Sequence, residues 1–178
     1  MYNKEYELQK WKGNKRGMAD SIEIRLSEMR DASALMEIDS LVWNMSTTPA
    51  PIRWNSREQY LQKCPPGNQL VADINGTIGG YIGFEYPTTL PCHRHVLDIN
   101  IAVHPDYQRQ GIGGQLIEAL KVWAARQGVR KLSLRVLATN PGAIEFYRSC
   151  GFTEQGRLIQ EFYLNEQYVD DILMYCMI

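Results

Sequence analysis

A chain of 178 residues with 44% hydrophobic and 22% charged residues has the composition of one globular domain, long enough to bury a core without disulfide or metal staples. Its formal charge of −1 supplies no bulk field for nucleic acid or an anionic membrane. Cys64, Cys92, Cys150 and Cys176 form no C-x-x-C pair, so no metal-ligand spacing is present and reduced thiols in a cytoplasmic protein are expected. No apolar run approaches the roughly 18 residues that crossing a bilayer requires. Residues 1–20 are polar and mostly basic, with no apolar stretch for a signal peptide, and read as a flexible tail in which Met18 is an alternative start. Residues 21–178 are expected to form the folded domain.

From Ser21 the pattern is regular. "IEIRL" (22–26) alternates as a half-buried strand does. Asp31 opens a helical run in which Leu35, Ile38, Val42 and Trp43 share a face, with Asp or Ser as N-cap. "TTPAPIRW" ends that helix, and a short helix is expected around "SREQYLQKC". "QLVADI", Asn75-Gly76 and "TIGGYIGFEY" make a hairpin with a type I′ turn, because both turn residues tolerate positive φ. "PTTLPCH" reads as a loop. "HVLDINIAV" (95–103) is the next strand, with Leu97, Ile99, Ile101 and Val103 on one face and Asp98 and Asn100 on the other. Beyond a glycine-rich loop, Ile112, Leu116, Leu120 and Trp123 recur at helical spacing up to a stop at Gln127-Gly128. "KLSLRVLA" is a strand. "NPGAIEFYRSCGF" is a short helix with Asn140 as cap, Pro141 in first position and Gly151 past the end. "EFYL" and "VDDILMYCM" are two final strands around a turn at "NEQ". This order predicts a single α/β domain with a mixed sheet.

A strand, a glycine loop and a helix start together make an anion site. Orphan amides of the first turn and the positive end of the helix dipole receive the charge, and glycine admits it close to the backbone. The stretch "HPDYQRQGIGGQL" (104–116) lacks the Lys-Ser or Lys-Thr of a nucleotide-hydrolase phosphate loop. It also fails G-x-G-x-x-G, since Gly111 and Gly113 fit but position 116 is Leu. Gln108-Arg109-Gln110-Gly111-Ile112-Gly113 instead resembles the [RQ]-x-x-G-x-[GA] loop of the GNAT superfamily of N-acetyltransferases, and "INIAVHPDYQ" resembles the strand leading into it. Further on, "NPGAIEFYRSCGF" resembles that family's Asn-x-x-Ala-x-x-x-Tyr-x-x-x-Gly-Phe signature. The resemblance covers residues 22–178 in element order and is specific over 97–152.

The resemblance implies a mixed, mostly antiparallel central sheet containing two parallel strands that splay apart, with helices on both faces. It implies acetyl-CoA as cofactor, lying between the splayed strands. Carried over residue by residue, the backbone of Ile101, Ala102 and Val103 would pair with the pantetheine arm. The amides of Arg109, Gln110, Gly111, Ile112, Gly113 and Gly114 would hold the pyrophosphate. Asn140 would contact the cofactor and Tyr147 would face its sulfur. A thioester attacked by an amine develops an oxyanion, which an amide of the 97–103 strand can stabilise. The departing thiolate needs a proton, and that is the general-acid role for Tyr147. Transfer in this family is mostly direct, so no cysteine needs a role.

The amine must also lose a proton. Neutrality at pH 7 costs roughly 4 to 5 kcal/mol for a lysine-like amine and about 1 for an α-amine. The relatives that acetylate ribosomal-protein N-termini carry a Glu five residues before the Asn, where this chain has Arg135. Asp98, on the cofactor strand in a sheet expected to be covered on both faces, is the first candidate to replace it as a base, and a paired structural role is the alternative. Glu85 is second, with His104 and His95 weaker. For the acceptor pocket, Trp43, Trp54, Tyr60, Tyr163, Tyr168, Asp170 and Asp171 are at hand, and such a set suits a cation.

The expected function is direct transfer of an acetyl group from acetyl-CoA to a primary amine of a small molecule or peptide. Nucleic acid, membrane and metal play no part in it, and a homodimer is left open. The alternative is a module of the same fold that senses acyl-CoA without turnover. A third reading, nucleic-acid binding by the basic tail, predicts salt-dependent binding lost on removing residues 1–17.

Overall fold

The computed structural model describes residues 22–178, so the tail expected over residues 1–20 lies outside the described part. Seven strands form one sheet in the order β1-β2-β3-β4-β5-β7-β6. They are β1 (Ile22–Leu26), β2 (Gln69–Ile74), β3 (Thr77–Glu85), β4 (Val96–Val103), β5 (Lys131–Leu137), β6 (Thr153–Leu164) and β7 (Gln167–Met177). Neighbours are antiparallel except β4 and β5, which run parallel. The β2–β3 hairpin turns through Asn75 and Gly76, both at positive φ as its sequence requires.

Helices cover both faces. On one, α3 (Ile112–Arg126) and α4 (Pro141–Ser149) bury Leu116, Ile117, Leu120, Ile144 and Tyr147 against Leu70, Ile82, Leu97, Ile99 and Leu132 of the sheet. On the other, α1 (Ala32–Val42) and α2 (Arg57–Lys63) set Leu35, Ile38 and Tyr60 on Val71, Ile78, Tyr81 and Ala102. A strand buried on both sides loses its alternation, which is why β2 is apolar almost throughout.

Two local expectations change. Asp31 stands at the N-cap position of α1, but its side chain does not cap that helix. Its carboxylate instead receives Arg25 Nη1 at 2.7 Å and Nη2 at 2.9 Å, and the Glu28 amide at 2.7 Å. The last hairpin is longer than "EFYL": β6 runs for 12 residues, with irregular pairing at Glu154/Gly156 and at Leu158/Phe162. As an edge strand it is mostly exposed, so the apolar alternation that would reveal it is absent.

Arg25 also reaches Asp73 Oδ2 at 3.0 Å and thereby ties β1 and β2 to the start of α1. Burial opposes ionisation of Asp31, but hydrogen bonds from Arg25 and Glu28 and the nearby guanidinium charges outweigh it, holding the carboxyl below its ordinary range. A carboxyl lowered in the folded state contributes stability above its unfolded pKa and loses it as pH falls through the folded value. Asp31→Ala should therefore cost about 2 kcal/mol in urea unfolding near neutral pH, by leaving the Arg25 guanidinium with Asp73 as its remaining close carboxylate. The difference from the parent protein should shrink below about pH 4.

Candidate active site

β4 and β5 pair at Val96↔Lys131, Leu97↔Leu132 and Asp98↔Ser133, and then separate. Each keeps its outer partner, β4 holding β3 up to Val103 and β5 holding β7 up to Leu137. From Ile99 onward the inner edge of β4 faces a cleft of about 880 Å³ instead of a strand. Ile99, Asn100, Ile101 and Val103 line one side, with Arg135, Val136 and Leu137 of β5 opposite.

At the end of β4 the chain enters the glycine loop. Gln108 Nε2 donates to Val103 O at 3.1 Å, and Gln110 Nε2 donates to Asp106 O at 3.0 Å, so two side chains fix the loop's path. Arg109 at φ 60° and Gly111 at φ 81° both sit in the left-handed region, and such reversals turn successive amides into a concave nest. The helix bond from Gln115 N to Gly111 O, 3.1 Å long, leaves the amides of Ile112, Gly113 and Gly114 without helical acceptors. The glycines serve different ends. A Cβ at Gly111 or Gly114 would meet nothing within 4 Å, whereas at Gly113 it would lie 2.9 Å from Phe146 Cζ. Gly111 and Gly114 keep the mouth open, while Gly113 lets α4 pack against α3.

α4 brings in the second motif. Asn140 Oδ1 caps the helix by accepting from Ala143 N at 3.1 Å, and the same residue lines the cleft. Tyr147 is buried between Phe146 and Phe152, at ring-centre distances of 5.4 and 5.7 Å, and also lines the cleft. Among the described residues no hydrogen bond reaches its hydroxyl. Burial, with a smaller contribution from Cys150, pushes the phenol well above its ordinary value, so it carries its proton at neutral pH.

The far end of the cleft is closed by Val42, Trp43, Thr47, Thr48 and Pro49 from the end of α1 and the loop after it, with Phe162 and Asp171 from the last hairpin. Arg135 Nε lies 2.5 Å from Asp171 Oδ2, and Arg135 Nη2 lies 3.3 Å from Glu161 Oε1. Asp171 is buried, and its Oδ1 takes no hydrogen bond from the described residues.

Of the expected residues, Ile101, Val103, Arg109, Gly111, Ile112, Gly113, Gly114, Asn140 and Tyr147 line this one cleft. Ala102 lies between Ile101 and Val103 with its side chain buried toward α1, and Gln110 stands just outside as a loop brace. Asp98 is not brought in. It is exposed, accepts from the Ser133 hydroxyl, and stands in register with an equally exposed Glu85. The helical layer of α1 and α2 covers that face of β4 at Ala102 but stops short of Asp98, so the premise of a sheet covered on both faces fails there. His104 uses Nδ1 to accept from Asp106 N at 3.2 Å, a loop-flanking role, and His95 is exposed. Tyr163 and Tyr168 pack with tilted rings 5.0 Å apart on the exposed end of the hairpin, and Asp170 accepts from Gln160 N and Arg157. Trp54 and Tyr60 pack edge-on beneath α1. Sequence reasoning missed Asn100, Gln108, Phe162 and the Thr47–Pro49 segment, which reach the cleft only through tertiary folding; Gln108 alone had a signal, as the first position of the loop motif.

Residues 35–152 match the model of the acetyltransferase (GNAT) family. The chain belongs to the GNAT family. Among similar members, an [ribosomal protein bS18]-alanine N-acetyltransferase of Salmonella typhimurium is 38% identical over 139 residues, 73% of this chain and 91% of that protein. A spermidine N(1)-acetyltransferase of Vibrio cholerae is 35% identical over 79 residues, 44% of this chain. That match spans 46% of the Vibrio protein, so the chain covers under half the length of this relative. The solved structure of yncA, a putative acetyltransferase from Salmonella typhimurium with its cofactor acetyl-CoA, superposes with a TM-score of 0.75 at 24% identity, covering 88% of this chain and 94% of that one. The GNAT fold is thus the observed one, including its mostly antiparallel sheet and single parallel pair.

Acetyl-CoA is the cofactor of the GNAT family, and the groups present suit it. Orphan amides at a helix start match a diphosphate, a free strand edge matches an amide-bearing arm, and Tyr147, whose hydroxyl takes no hydrogen bond from the described residues, lines the same cleft. Gly113→Val should cost about 1–3 kcal/mol in chemical unfolding because its side chain drives into Phe146. In a double-mutant cycle with Phe146→Ala the two losses should be less than additive, as the clash predicts.

Proposed function

We propose that the chain is an acetyl-CoA-dependent N-acetyltransferase that passes an acetyl group directly to a primary amine of a small molecule or peptide, with Tyr147 as general acid. The observation that carries this reading is that the Tyr147 hydroxyl, which takes no hydrogen bond from the described residues, belongs to a side chain sharing one cleft with the open amides of the glycine loop. In this reading the amides of Arg109 to Gly114 bind the diphosphate, Ile101 to Val103 offer their free strand edge, and Asn140 orients the arm. When bound, acetyl-CoA supplies an activated acyl group and a thiol as leaving group. Tyr147 Oη holds the proton that a departing thiolate needs, and burial prevents its loss to water before then.

The acceptor enters from the opposite end, along Trp43, Phe162 and the Arg135–Asp171 pair. Asp98, the sequence's first candidate for a base, stands outside the cleft, and among the described residues Asp171 is the carboxylate that lines it. Arg135, Asp171 and Glu161 together carry one net negative charge, which favours an ammonium over an anion at this end. The names of the relatives, a spermidine N(1)-acetyltransferase and a [ribosomal protein bS18]-alanine N-acetyltransferase, fit an amine acceptor. Four free cysteines fit a reducing cytoplasm.

Tyr147→Phe should lower turnover about 100-fold or more in an assay of released thiol with an amine panel, while acetyl-CoA affinity stays nearly intact. Unchanged turnover would remove the general acid, and cofactor binding without any turnover in the parent protein would favour an acyl-CoA sensor. Gly114→Glu should leave the melting temperature nearly unchanged, since its Cβ meets open space and an acid suits the first helical turn. The same carboxylate repels a diphosphate, so coenzyme A affinity by calorimetry should fall about tenfold or more.

A further inference from the structure

A buried polar network beneath the acceptor end is not used by the proposed chemistry. Asp39, on the third turn of α1, is 2% exposed. Its Oδ2 accepts from Trp54 Nε1 at 2.7 Å, and its Oδ1 accepts from the Tyr81 hydroxyl. That hydroxyl in turn accepts from Trp43 Nε1 at 2.8 Å. One carboxylate therefore holds two indoles, Trp54 directly and Trp43 through Tyr81. The two tryptophans bracket the segment that carries Thr47, Thr48 and Pro49 into the cleft. Trp43 is also the partition between that cleft and an outer pocket of about 790 Å³ lined by Ser46, Pro51, Arg53 and Trp54. On the sheet side, Tyr81 stands in register with Ala102, inside the free-edged segment of β4.

Burying a carboxylate without a cation is costly, and purely apolar packing would have served the fold as well. The hydrogen bonds fix something packing alone leaves free: the rotation of the Trp43 indole. The ring nitrogen of Trp43 is spent on Tyr81, while the side chain borders both the cleft and the outer pocket, so the bond fixes how the ring divides them.

We infer that Asp39 and Tyr81 are positioning residues for the acceptor, acting by locking Trp43 as the wall of the acceptor end. This rests on the N-acetyltransferase reading above. No side chain of the glycine loop or of the inner edge of β4 hydrogen-bonds into the network, which meets β4 only through the backbone pairing of Tyr81 with Ala102.

The test is a double-mutant cycle on Tyr81→Phe and Trp43→Phe, using an amine that the parent protein acetylates. Tyr81→Phe removes only the hydroxyl and leaves the Asp39–Trp54 bond in place. It should raise the KM for the amine about tenfold, with the KM for acetyl-CoA changed less than twofold. Trp43→Phe, which deletes the donor, should do the same, and the double variant should be no worse than either single one. Additive effects, an equal rise in both KM values, or no change would overturn the inference. A companion readout is hydrogen exchange of the Trp43 indole Nε1–H in isotope-labelled protein, its resonance assigned by its loss in Trp43→Phe, with Trp54 and its bond to Asp39 left in place. Exchange should quicken on adding Tyr81→Phe, and an unaltered rate would show that no lock exists. If the parent protein acetylates no amine, the functional reading falls first and takes this inference with it, a result distinct from a failed cycle in an active enzyme.

Discussion

The parting of β4 from β5 after three paired positions is the constraint on which the rest of the structure depends. A free strand edge is normally a liability, open to any passing chain, and proteins cover or charge it. Here the edge lies within the sheet, between two strands each anchored on its far side. It cannot close, because β4 is fixed by β3 and β5 by β7. The result is a backbone surface with directional donors and acceptors, held rigid at no extra conformational cost on binding.

The other parts of the site are placed by that opening. The loop leaving β4 must turn back to start α3, and its left-handed residues at Arg109 and Gly111 aim the first-turn amides at the mouth of the cleft. α4 follows the strand on the other bank, so Asn140 and Tyr147 look across the gap toward β4. Several residues serve structure and site together. Gln108 braces the loop by occupying the Val103 carbonyl, and Asn140 caps a helix while lining the cleft. Charge is divided along the cleft's length. Amides and Arg109 gather at one end, while the Arg135–Asp171 pair lies at the other, with Glu161 bound to Arg135 outside the lining.

Much of this was legible in the chain itself. Asn75-Gly76, Asn140-Pro141 and Gln127-Gly128 each encode a backbone conformation that few other residues tolerate, and each boundary stands where those residues put it. The glycine loop was readable because anion binding through backbone amides demands small residues at fixed spacing. What the sequence concealed depends on contacts far apart in the chain. Asp98 looked buried because its strand is central, yet coverage is decided by how far α1 and α2 reach across the sheet. β6 was read four residues long because an exposed edge strand carries no alternating pattern. Phe162 enters the cleft only because β7, its hairpin partner, crosses to pair with β5. Gly113 was read as a point of anion approach, but its missing side chain also makes room for Phe146 on another helix.

The central claim is that the amides at the start of α3 and the free edge of β4 form one binding surface. Titrating coenzyme A into isotope-labelled protein and following backbone amide resonances tests it most directly. The largest shifts should fall on Arg109 to Gly114 and on Ile101 to Val103, with β1 and β2 unmoved. Saturable binding that leaves those amides undisturbed, and shifts a different surface instead, would contradict the account.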